Sequence, residues 1–142
     1  MTQLKIPFWF TLVAVVMLVW NFMGVVAFFI DLSISAEDIA QLSIEEQELY
    51  ARYPFWTKIA YGFAVLGGFA GCVALLLKKY VAKVLFLLSL IGIVVQMTHS
   101  IFVAKAMNVH GNIALIMPIV VMFFGIFLLL LANHAIKKGW IK

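Results

Sequence analysis

The segment Val94-Val95-Gln96-Met97-Thr98-His99-Ser100 places four polar side chains, Gln96, Thr98, His99 and Ser100, within five residues of an otherwise apolar stretch. An imidazole titrates near neutral pH, so it can bind a ligand, exchange a proton or ligate a metal. The neighbouring amide and hydroxyls add both donors and acceptors. In lipid such groups are costly, and they face a bundle interior or a water-filled cavity. At about 100° per residue, Ser89, Gly92, Gln96, His99 and Ser100 share an arc of roughly 100°. Thr98 points elsewhere, where its hydroxyl bonds the preceding turn. On the first apolar run Asn21, Gly24 and Asp31 share a face in the same way, and Tyr61 lies at a similar depth. Asn21, Asp31, Tyr61, Gln96 and His99 are therefore the candidate ligand-binding residues. The alternative for Asn21, Gln96 and His99 is an interhelical hydrogen-bond network worth about 1 kcal/mol per contact.

The sequence excludes more chemistry than it suggests. No Asp or Glu lies inside an apolar run, so the carboxylate-based proton exchange of small multidrug exporters is disfavoured. There is no G-x-S-x-G elbow and no Gly-rich phosphate loop, and no catalytic residue is assigned. Haem held by two histidines needs both at matched depth, whereas His99, His110 and His134 fall at three different depths. Only two copies of His99 across a dimer axis could form such a pair. His99 or His110 with Asp31 or loop carboxylates would suit zinc, but no H-x-x-x-H or E-x-x-H spacing supports a metal site. His110, in "NVHGN", reads as a turn residue. No cofactor is expected. Cys72 is the only cysteine, so one chain can build neither a disulfide nor a thiolate cluster.

The elements that hold these residues follow from hydropathy. The chain is 66% hydrophobic and 11% charged over 142 residues, with mean hydropathy +1.15. Soluble domains are about half apolar and one-quarter charged. Four apolar runs, about 7–30, 55–77, 81–104 and 112–133, approach or exceed the roughly 20 residues that cross a bilayer. The expected fold is all-α: a single four-helix transmembrane domain, its first run too long for a signal peptide.

Seven of the ten basic residues, Lys5, Lys78, Lys79, Lys83, Lys137, Lys138 and Lys142, fall on one side, which the positive-inside rule makes cytoplasmic together with both termini. The other side carries Arg52, Lys58 and Lys105 against all six acidic residues, a formal −3. Aromatic belts at both boundaries agree: Phe8, Trp9, Tyr80 and Trp140 inside, Phe28, Phe29, Tyr53, Phe55 and Trp56 outside. The flanking lysines read as topology signals and contacts to anionic lipid. Nothing in their arrangement resembles a nucleic-acid surface.

The outer loop, 31–54, contains two helix starts, Ser35 with Asp38 and Ser43 with Glu46, the second a capping box. Two short helices with an amphipathic pattern are expected there, the second ending before Pro54. They would either roof the polar cluster or merely link two spans. In the second run Ala60, Ala64, Gly68 and Cys72 recur every four residues beside the G-x-x-x-G pair Gly67 and Gly71. With Gly24, this spacing predicts close helix packing, within the bundle or across a homodimer. Pro118 removes a backbone hydrogen bond from the fourth run, where a kink could widen the bundle.

The motifs "WNFMGVVAFF", "SAEDIAQLSIEEQELYARYPFW" and "GGFAGCVALLLKK" resemble a group of small four-helix bacterial inner-membrane proteins often labelled sugar transporters. The resemblance covers about the first three-fifths of the chain. It implies a similar fold and an inner-membrane location, and it draws attention to Trp20, Asn21, Gly24, Pro54, Trp56, Gly67, Gly68 and Gly71. The sequence thus leads to a binding or accessory protein with an outward polar pocket, free, dimeric or part of a larger membrane complex. Two alternatives stand beside it: a small-solute transporter acting as a homo-oligomer, and a metal- or haem-binding subunit using His99.

Overall fold

In chain order the helices are α1 (Phe8–Leu32), α2 (Ala36–Ala40), α3 (Ile44–Ala51), α4 (Phe55–Leu76), α5 (Val81–Thr98), a π-turn (His99–Val103), α6 (Met107–His110) and α7 (Ile113–Lys137). The computed structural model describes residues 5–142, and no strand occurs among them. Among the described residues four helices are long and apolar enough to cross a membrane: α1, α4, α5 with its π-turn, and α7. Their outward faces carry bare apolar side chains such as Phe22, Met23, Ile119 and Phe123. Apolar surface on that scale belongs against lipid.

Small residues set the packing order. Ser89 Oγ donates to Ala64 O, locking α5 onto α4. A Cβ added to Gly92 would lie 2.7 Å from Ala60 O and 2.9 Å from Ala64 N, so the α4 and α5 backbones are nearly in contact. Gly67 faces Leu85 O and Ser89, while Gly71 gives way to the ring of Phe86. Other small positions seat α1: Gly24 lies against Val65, Gly62 against Phe28, and Gly68 under the Asn21 amide. The stripe on α4 is thus used inside the bundle, on two of its faces. Bulky rings join α1 to α7, as in the edge-on pair Trp20–Phe124 at 5.0 Å.

The two ends of the bundle differ. At the basic end a continuous apolar core joins Phe10, Met17, Leu75, Phe86, Leu128 and Leu131, with Phe86, Leu75 and Cys72 its largest fully buried side chains. Lys78 (φ 60°) and Gly139 (φ 74°) each occupy the left-handed position after a helix. Lys79 N–H bonds Ala74 O and Trp140 N–H bonds Ala135 O, closing matching Schellman caps on α4 and α7. Residues 140–142 then fold back, with Tyr80 N–H bonded to Lys142 O and Lys142 N–H to Lys78 O. Trp140 meets Phe10 at 5.2 Å and His134 at 5.3 Å, so the two chain ends are clasped together.

At the acidic end, Ser35 with Asp38 and Ser43 with Glu46 both form complete capping boxes, heading α2 and α3. A small cluster of Leu49, Ala104 and Ala106, flanked by Tyr53, Val109 and Ala114, pins α3 to the segment after α5. Three features depart from the expected outline. The fourth span runs on to Lys137 because its C-terminal turn stays helical past the apolar run, the third ends in a π-turn, and α6 replaces a plain turn at "NVHGN".

Candidate binding groove at the acidic end

Pro54 organises the approach to the polar cluster. It cannot continue α3, and its extended backbone (φ −70°, ψ 162°) serves as the N-cap of α4. Its carbonyl accepts from the buried Thr57 hydroxyl at 2.6 Å. The end of the short linker 52–54 is therefore fixed to the first turn of α4.

Beneath it the α-helical ladder changes step. Ala104 N–H bonds His99 O, five residues back, at 2.8 Å, and Ala106 N–H bonds Ser100 O at 3.0 Å. Lys105 turns the chain with φ 55°. Widened turns of this kind recur at functional sites, because they re-aim side chains that a regular helix would stack.

The linker is stitched to this turn. Arg52 Nη1 donates to Ala104 O at 3.0 Å, and Tyr53 OH and Ser100 Oγ are hydrogen-bonded at 2.7 Å. The His99 ring lies between two aromatic rings, Tyr53 at 5.3 Å and Trp56, edge-on at 85°, at 5.1 Å. His99 is only 4% exposed, one of three buried polar residues, with Thr57 and Ser89, among those described. Its Nδ1, like Gln96 Oε1 one turn earlier, is buried with no hydrogen-bond partner among the described residues. An unmet buried polar group costs about 1–3 kcal/mol, which in a native protein asks for a reason.

A lateral groove of about 640 Å³ opens beside this ring. Its floor is aliphatic, from Val94, Val95 and Val103, and its upper wall is Arg52, Pro54 and Trp56. Thr98, expected to turn away, lines the groove together with His99. The volume lies within the 300–1,000 Å³ of ordinary ligand sites, although the groove is a shallow depression open along one side and not an enclosed cleft.

The five candidate binding residues fall into two groups. His99 opens the π-turn and lines the groove, and Gln96, its Oε1 buried, lies one helical turn before it on α5 without lining the groove. Asn21 lies elsewhere, its Nδ2 donating to Met17 O at 2.8 Å and reaching Cys72 Sγ at 3.6 Å. It sits over Gly68, which Ser89 also approaches, and Gln96 is seven residues beyond Ser89, about 10 Å further along the helix. Tyr61 packs edge-on against Phe28 at 5.1 Å, between α1 and α4. Asp31 closes the end of α1 through its backbone carbonyl. Its charge also helps to raise the Tyr50 phenol above its ordinary value, after the larger effect of burial.

Arg52, Tyr53 and Trp56 were not among the candidate binding residues, although the ring-rich "YPFW" directly after an acidic helix is a readable signal. Among the described residues no three His, Cys, Asp or Glu side chains converge as a metal site would need. Comparison with known proteins finds no matching family model, no matching curated protein and no matching solved structure.

Proposed function

We propose that this chain is a binding or accessory protein of a bacterial inner membrane, with its termini in the cytoplasm and the groove beside His99 facing outward as its ligand site. The observation that carries this reading is the setting of His99: a buried imidazole with an unmet nitrogen, held between Tyr53 and Trp56 on a π-turn, beside a groove of ligand size. Such a ring is positioned for binding. Catalysis has less support, since the Ser100 hydroxyl is engaged by Tyr53.

The lysines gathered at one end and the carboxylates of α2 and α3 at the other favour this orientation. The resemblance to small four-helix inner-membrane proteins favours the same location. Transport has weaker support, because inward of Ser89 and Asn21 the buried apolar core around Met17, Leu75 and Phe86 fills the basic half. The groove therefore reads as a terminus for its ligand.

The test is native mass spectrometry of the chain extracted with its surrounding lipid. A discrete bound mass should accompany the wild-type chain and be lost from Val95→Trp, in which an indole fills the groove. Identical spectra for the two, with the same masses or none, would remove the groove as a site.

A further inference from the structure

We infer, building on the groove as the binding site, that its ligand is an anionic phospholipid that enters sideways from the bilayer. The lining separates into two chemistries. Val94, Val95 and Val103 present partly exposed aliphatic surface of the kind an acyl chain covers, 44%, 40% and 63% exposed respectively. Arg52 and Trp56 stand at the mouth, where a headgroup would lie.

Depth agrees with this division. Val94 is thirteen residues from the start of α5 at Val81, about 20 Å along the axis, and Val103 is about 33 Å along it. A hydrocarbon core of about 30 Å places Val94 and Val95 within one leaflet and Val103, with Arg52, at its headgroup boundary.

Charge selects the headgroup. Among the described residues Arg52 is the only Lys, Arg, Asp or Glu lining the groove. Only Nη1 is spent on Ala104 O, so the remaining guanidinium donors are free to grip a phosphate oxygen. Trp56 and the exposed Thr98, which also line the groove, each carry a neutral donor. A second lateral groove, of about 490 Å³, supplies an internal contrast. It is lined by Val26, Phe29, Ile30 and Ile34 with Ser33 and Asp38, so its one charge is negative. Lipid tails would fit both grooves, but an anionic headgroup fits only the first.

The experiment uses the full chain in nanodiscs with equal phosphatidylglycerol and phosphatidylcholine, and counts the lipids retained in native mass spectra. Phosphatidylglycerol should be retained about tenfold over phosphatidylcholine. Arg52→Gln should abolish that preference, Arg52→Lys should keep most of it, and Asp38→Asn should leave it unchanged. Equal retention of the two lipids, or a preference that survives Arg52→Gln, overturns the inference. Displacement of phosphatidylglycerol by soluble glycerol phosphate alone also overturns it, pointing to an aqueous phosphate ligand while the groove stands. Lipid retention that ignores Val95→Trp defeats the groove itself. Thermal unfolding of each variant identifies any that has merely lost its fold.

Discussion

At the residue scale, the arrangement depends on a few contacts that join positions far apart in the chain. Tyr53 and Ser100 are 47 residues apart and Arg52 and Ala104 are 52 apart, yet both pairs bond the linker to the π-turn. If the Tyr53–Ser100 bond orients the linker over His99, Tyr53→Phe should destabilise the chain by about 0.5–1.5 kcal/mol. Ser100→Ala should do the same, and the double variant should lose little more than either alone. Thermal unfolding of the four proteins in nanodiscs measures this coupling, and purely additive losses would mean that the hydroxyls do not act as a pair. The polar character of Gln96 and His99 was legible in the sequence, because polar side chains in an apolar run stand out. The rings around His99 were not, because Tyr53 and Trp56 are brought against it by tertiary folding that no local spacing encodes.

At the element scale, local rules were readable and the interruption of one helix was not. The Ser43–Glu46 capping box lies within one turn of chain, so the sequence suffices to find it. The π-turn inserts its extra residue without altering composition or apolar spacing, so nothing in "HSIFV" announces it. The small residues of α4 were legible as a packing stripe, whereas their division between α5 and α1 depends on which helices meet. Gly92→Ala should cost about 1–3 kcal/mol, because the added methyl meets the α4 backbone at Ala60 and Ala64, which cannot rotate away. A variant of unchanged melting temperature in nanodiscs would mean that the helices can part freely. The α2 cap should also respond to acid. The Ser35 backbone N–H, and then its hydroxyl, hold Asp38 below its ordinary value of 3.8. The cap's contribution is therefore present above that value and fades as the pH falls through the lower folded one. The Ser35 amide proton resonance should titrate below pH 3.8 in the wild type and stay flat in Asp38→Asn.

At the scale of the whole molecule, an apolar core in the basic half and the polar cluster in the acidic half give the bundle a direction. The sequence already contained that asymmetry in the placement of its lysines and carboxylates. The clasp of Trp140 on Phe10 and the return of residues 140–142 along Lys78 and Tyr80 were not legible, since they arise only once the chain ends meet. The proposed orientation predicts that, in intact spheroplasts, a membrane-impermeant maleimide labels Glu48→Cys and spares Lys138→Cys. Cys72 is fully buried and should give no background. The reverse pattern would place the groove in the cytoplasmic leaflet.

The central claim, that the groove beside His99 holds a particular ligand and is not just another lipid-facing surface, is tested most directly with a photoreactive residue at position 95. After irradiation in native membranes, the mass of the adduct identifies what lies in the groove. The account predicts one dominant adduct, reduced about tenfold in His99→Ala, the loss expected from one contact of roughly 1.4 kcal/mol. Adducts that follow bulk lipid composition and ignore the His99→Ala change would contradict it, leaving His99 as a packing residue of the bundle.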